Sequence, residues 1–222
     1  MEMMVPIVIV GSVGLFFGVG LAIASKKLAV FVDPKVGQIL NAVPNANCGA
    51  CGFAGCAGFA KAVAEGRANP AGCIPGGSKA AQAIAEILGV SVDESEAKMA
   101  VVHCKGGNAE AKQRANYEGI RDCHAAVIAG NGPKVCSEGC LGLGTCVRAC
   151  PFDALHINAN CVAQVDPEKC TGCGKCVKVC PRAIISLIPA VHKIFLACSN
   201  HDRGAGVKKV CTVGCTACTL CV

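Results

Sequence analysis

Twenty cysteines stand in a chain of 222 residues, and their spacing limits what they can do. The tightest run is "CTGCGKCVKVCP", which reads Cys170-x2-Cys173-x2-Cys176-x3-Cys180 and closes on Pro181. Thiolates this close converge on one point, which suits a metal or cluster better than a long cross-link. A disulfide framework would need dispersed cysteines and an oxidising compartment. An earlier group, "NANCGACGFAGC", holds Cys48, Cys51 and Cys56, and Cys73 follows in "NPAGCIPGG". Gly49, Gly52 and Gly55 let this backbone turn tightly and aim N–H groups at sulfur. Four converging thiolates suit one [4Fe–4S] cluster. Zinc is the alternative, although zinc ribbons usually carry two paired knuckles and this group has one.

The run at 170–180 has the spacing of bacterial ferredoxins, in which the fourth cysteine ligates the other of two clusters. Upstream stands a loosened copy, "CSEGCLGLGTCVRACP": Cys136-x3-Cys140-x5-Cys146-x3-Cys150-Pro151. The tails "CVRACPFDALHI" and "CVKVCPRAIISL" match as an internal duplication should. Crossed ligation then assigns Cys136, Cys140, Cys146 and Cys180 to one cluster. Cys150, Cys170, Cys173 and Cys176 hold the other. The widened spacing makes Cys136 the departure from the usual pattern.

The chain closes on "CTVGCTACTLCV", with Cys211, Cys215, Cys218 and Cys221. Shifted by 75 residues, "KVCSEGCLGLGTCV" lies over "KVCTVGCTACTLCV", so Cys136 meets Cys211, Cys140 meets Cys215 and Cys146 meets Cys221. Cys218 stands over Leu143 and restores the tighter spacing. The register runs backwards too, since Cys123-x12-Cys136 repeats as Cys198-x12-Cys211. This reads as the start of a second ferredoxin unit without its second half, and the chain is expected to be part of a longer protein. Cys104, after "MAVVH", resembles Cys198, after "KIFLA", by context. Buried thiols are the ordinary fate of such cysteines, and Cys161, which breaks the strand-like "LHINANCVAQVD", reads as packing. The five histidines are scattered, and no spacing recommends any of them as a ligand.

The elements that must position these groups are small. There is no Trp and only one Tyr, so clusters stand in for missing hydrophobic volume. Helices are expected from Ala57 towards Gly66 and over 79–89, ending on Gly89. "VPIVIVGSVGLFFGVGLAIA", Val5 to Ala24, carries no ionisable side chain and is long enough to cross a bilayer. Lys26 and Lys27 follow it, which favours an uncleaved anchor with the N-terminus outside; a buried core helix is the bland rival. The fold class expected is α+β: one transmembrane helix, a 4Fe-4S domain and a 2[4Fe–4S] ferredoxin-like domain. The domain limits are 1–27 for the anchor, 28–92 for the first cluster domain and 93–130 for a connector. Residues 131–192 form the ferredoxin-like domain and 193–222 the incomplete unit. The formal charge of +6 counts every cysteine as neutral. Three clusters of about −2 each cancel it, so it is no argument for nucleic acid as a partner.

The order of anchor, Cys48/Cys51/Cys56/Cys73 domain, "CLGLGTCVRACPFDA" and "CTGCGKCVKVCP" resembles the B subunit of Rnf complexes. These are ion-translocating ferredoxin:NAD oxidoreductases of the bacterial inner membrane. The resemblance implies an electron-entry subunit of a translocase that takes electrons from soluble ferredoxin and has no catalytic site of its own. It implies three [4Fe–4S] clusters, and a fourth if the tail cysteines fill one. Flavin, nicotinamide and ion transport would belong to partner subunits, with lipid around the anchor and the cluster domains in the cytoplasm. The residues agree, since no glycine-rich turn here has the setting for a dinucleotide. The same architecture would also serve as the electron-input subunit of a hydrogenase, the reductase of a redox regulator, or a zinc scaffold without redox activity.

Overall fold

The mostly apolar runs at 98–102 and 185–189 pair as an antiparallel ladder, β1 (Lys98–Val102) with β4 (Ile185–Pro189), in register Ala100 to Leu187. A second ladder joins β2 (Leu155–Ile157) to β3 (Ala163–Val165). Isolated two-stranded ladders are marginal, and these two share one core. Ala100, Val102, Leu155, Val162, Ala163, Ile184 and Ile185 bury their side chains there, packed among cysteines. The computed structural model describes residues 4–27, 33–91, 96–192 and 194–220.

The chain divides into two units, Met1–Pro34 and Lys35–Val222. The first contains helix α1 (Met4–Lys27), whose described side chains ahead of Ser25 are apolar apart from Ser12 and mostly exposed, Phe16 at 76%. A helix with no polar face suits lipid rather than water. It is long and apolar enough to cross a membrane.

In the second unit, α2 (Pro34–Ala42), α3 (Cys56–Ala64) and α4 (Gly77–Leu88) form a small helical layer around the first cysteine group. Phe59, 1% exposed, anchors it with Ile39, Val63 and Ile84 and meets Phe53 edge-on at 5.9 Å. Two 3-10 turns, Pro70–Gly72 and Ile74–Gly76, carry Cys73 between them, and α4 stops on Gly89 in the left-handed conformation.

Around the strands lie α5 (Cys123–Ile128), α6 (Thr145–Arg148), α7 (Lys175–Lys178) and α8 (Ala205–Val210). The duplication is visible in the dihedrals. Gly142 and Gly172 have φ of 71° and 69°, Gly144 and Gly174 have 77° and 74°, and Asp153 and Ala183 both have 50°. One difference separates the halves. Cys170 follows β3 almost at once, whereas the long segment 103–139 lies between β1 and Cys140. Residues 98–102, expected within a connector, are therefore the edge of the ferredoxin-like sheet. The segment 103–139 folds back on the tail through bridges from Cys104 to Cys198 and from Ala111 to Cys211. Glu110 clamps it, accepting from the Gly107 N–H at 2.9 Å and the Asn160 amide at 2.6 Å. These bonds, led by that from Asn160, hold its carboxyl below the usual range.

A Cβ on Gly172 would strike the Lys98 carbonyl of β1, and one on Gly142 would strike the Cys161 carbonyl ahead of β3. Gly66, at φ 71°, meets nothing within 4 Å. Gly66→Ala is expected to cost about 1 kcal/mol for its left-handed backbone. Gly172→Ala should cost clearly more, because β1 must also move, and denaturant unfolding of the two variants measures the difference.

Candidate iron–sulfur centres

Cys48, Cys51, Cys56 and Cys73 meet around the start of α3. Asn47 orders the approach by accepting the Cys56 N–H on its Oδ1 at 2.8 Å. Gly55, at φ 94°, leaves the room, since a Cβ there would lie 2.8 Å from the same oxygen. Burial pushes the Cys73 thiol up, and the neighbouring Cys56, Cys51 and Cys48 push it further, while the Gly76 N–H pulls against them.

Cys150, Cys170, Cys173 and Cys176 line one cavity. The Cys170 sulfur accepts the N–H of Ala100 on β1 at 3.3 Å, and the Cys150 sulfur that of Ala154 at 3.4 Å. Burial lifts the Cys176 thiol to about 11, with repulsion from Cys170, Cys173 and Cys150 adding to it.

The partner cavity is lined by Cys140, Cys146, Cys180 and Cys123. Here the Cys140 sulfur accepts the N–H of Ala163 on β3 at 3.5 Å, as Cys170 accepts from β1. The Cys146 thiol is pushed up to about 12, first by burial and then by Cys140, Cys123 and Cys180. The crossing of Cys150 and Cys180 between the two halves is present. Cys136 is not at this site. Superposing the halves puts Leu143 where the other half has Cys173, and Cys123 takes the missing position from outside the repeat.

Local bonds explain how Cys123 reaches that place. Asp122 caps α5, accepting the N–H groups of His124 at 2.8 Å and Ala125 at 3.1 Å. Thr145, first residue of α6, accepts the Cys123 N–H at 2.8 Å and donates its hydroxyl to Asp122 at 2.9 Å. The His124 ring meets the Val179 carbonyl at 3.0 Å, beside Cys180. Contacts to the Ala125 and His124 N–H groups and the Thr145 hydroxyl, the Ala125 one foremost, hold the Asp122 carboxyl below its usual value. The signal in the sequence was Leu143 standing at a ligand position of the duplicated motif.

Cys136 lies instead within electrostatic reach of Cys104, Cys198 and Cys211. Cys215 is half-buried and Cys218 exposed, and neither lines any of these cysteine cavities. The Cys218 thiol is drawn down, chiefly by the Leu220 N–H. Cys221 lies outside the described residues. Cys161, at φ 56°, packs its backbone under Gly142 and joins no group of thiols.

The donor chemistry fits clusters. No described cysteine is in a disulfide. Among the described residues no three His, Cys, Asp or Glu side chains close on a single ion. The thiols stand in groups met by backbone N–H donors, the setting a four-iron cube requires.

Two family models match the chain: an Fe-S cluster domain over residues 43–75 and a 4Fe-4S binding domain over 163–186. The B subunit of the Na(+)-translocating ferredoxin:NAD(+) oxidoreductase complex of Acetobacterium woodii is 45% identical over 212 residues. The match covers 96% of this chain and 64% of that protein, so the chain spans just under two thirds of its length. The B subunit of the proton-translocating ferredoxin:NAD(+) oxidoreductase complex of Clostridium ljungdahlii is 41% identical, covering 94% of this chain and 74% of that protein. The B subunit of an ion-translocating oxidoreductase complex of Methanosarcina acetivorans is 40% identical, over 97% and 81%. The chain belongs to the B-subunit family of ion-translocating oxidoreductase complexes. In this family member the second tetrad departs from the simple repeat.

Cys180→Ser and Cys123→Ser are expected to disturb the same centre and to leave that of Cys150, Cys170, Cys173 and Cys176 intact. Each should cost up to about four iron per chain and the same component of the reduced protein's EPR spectrum. A component lost in Cys180→Ser yet kept in Cys123→Ser would remove Cys123 from the site.

Proposed function

We propose that this chain is the electron-transfer subunit of a membrane-bound ferredoxin:NAD oxidoreductase. It would accept electrons from reduced ferredoxin and pass them to partner subunits that bind flavin and nicotinamide and move Na+ or H+. The observation that carries this reading is the interlocked pair of tetrads, each completed by a cysteine from the other half and each fed by a strand N–H. Three [4Fe–4S] clusters are assigned to Cys48/Cys51/Cys56/Cys73, Cys123/Cys140/Cys146/Cys180 and Cys150/Cys170/Cys173/Cys176. When bound, each supplies a one-electron couple whose potential follows hydrogen bonding and solvent access.

The chain's own residues do the rest. Ala100, Ala154 and Ala163 present N–H groups to sulfur, which stabilises the more negative, reduced state and raises the potential. The apolar shell of Val102, Leu155, Ile184 and Ile185 limits water around the paired sites. Helix α1 would hold the chain in the bilayer, and Lys26 and Lys27 at its end favour the cytoplasmic side for everything that follows.

Anaerobic mixing with reduced ferredoxin is expected to bleach the protein's broad visible absorbance, with electrons taken up in proportion to the clusters present. An oxidised spectrum that persists with excess reduced ferredoxin ends the reading. Deleting residues 1–27 should move the protein to the soluble fraction with its iron content kept.

A further inference from the structure

Four cysteines outside the three centres also converge. Cys104 follows β1, Cys136 opens the loosened motif, and Cys198 and Cys211 come from the tail. Together they line one cavity, as the cysteines of the Cys123 site line theirs. We propose that Cys104, Cys136, Cys198 and Cys211 hold a further [4Fe–4S] cluster, built between the segment 103–139 and the tail.

The site has two matching halves. The Cys140 N–H donates to the Cys104 sulfur at 3.4 Å, and the Cys215 N–H donates to the Cys198 sulfur at 3.3 Å. Cys136 and Cys211 each open the same turn, their carbonyls accepting the N–H of Gly139 and of Gly214 at 3.4 Å. Cys104 and Cys198 face each other across an antiparallel bridge. The Asn200 amide reaches the Cys136 sulfur at 3.7 Å. Gly106 keeps one wall open, because a Cβ there would come within 2.7 Å of the Cys211 sulfur. Equivalent turns that each give a thiol and an N–H to one cavity make a built site, where four separate packing cysteines would show no such correspondence.

Loading is balanced when four thiols release four protons and bind a preformed [4Fe–4S]2+ core from a cluster donor. Cys140 would then ligate its own cluster through sulfur while its N–H bonds to a ligand of the next. The two centres are thus joined by one hydrogen bond, and the relay would extend towards the tail. The inference rests on the iron–sulfur reading of the other tetrads but not on any donor or acceptor of electrons.

The test compares the full-length protein, purified without oxygen, with Cys104→Ser/Cys198→Ser and with Cys198→Ser alone. Iron, acid-labile sulfide and zinc are counted per chain, and reduced samples are read by EPR. The double variant is expected to lose about four iron and four sulfide while the signals of the other centres persist. The single variant, keeping an oxygen at one corner, should show a shifted potential or line shape for one centre. Unchanged iron in the double variant, zinc replaced rather than iron, or iron lost from the other three centres while this one survives would overturn the proposal. If the unaltered protein itself held zinc without sulfide, the proposed function would fail as well, and that result is distinct from the loss of one centre.

Discussion

Four thiolates crowded around one partly buried cavity repel each other, and the rest of this structure depends on what relieves that repulsion. Burial, with the neighbouring thiols adding to it, lifts Cys146 to about 12 and Cys176 to about 11. Packed thiolates are tolerable only with positive charge between them and N–H dipoles outside them. A cluster core answers the first need, and the strand and turn amides answer the second. Binding free energy of this kind is folding free energy. That explains how two short two-stranded ladders and helices of a single turn hold together without a tryptophan.

The same electrostatics account for a lysine in the core. Lys134 is 1% exposed, and its Nζ donates to the Gly106 carbonyl at 2.9 Å. Its charge acts on Cys140 and on Glu110. An unpaired buried ammonium is costly in an apolar core, but here Cys140 and the Glu110 carboxylate lie within its electrostatic reach. It also ties the end of the segment 103–139 to its start, the loop that carries Cys104.

The departure from the simple repeat has one structural origin. In the half that starts at β3, Cys170 follows the strand closely, and the motif carries all of its own cysteines. In the half that starts at β1, residues 103–139 intervene and Leu143 replaces a ligand. The intervening segment returns a thiol through α5, docked by Asp122 and Thr145 on the first turn of α6. The lost ligand and the inserted segment thus compensate for each other.

Much was legible in the residues themselves. Local thiolate runs such as Cys48-x2-Cys51-x4-Cys56 and Cys170-x2-Cys173-x2-Cys176 must converge, because so few bonds separate their sulfurs. The apolar stretch of α1 and the helix stop at Gly89 follow from equally local chemistry. The crossing of Cys150 and Cys180 was legible through the duplicated motif. Tertiary structure alone decided the partners of Cys123, Cys136, Cys104, Cys198 and Cys211, and it drew 98–102 into the sheet. Those thiols are separated by long stretches of chain, so their meeting is set by strand pairing and helix docking. Spacing along the sequence holds no information on which way such a segment folds back.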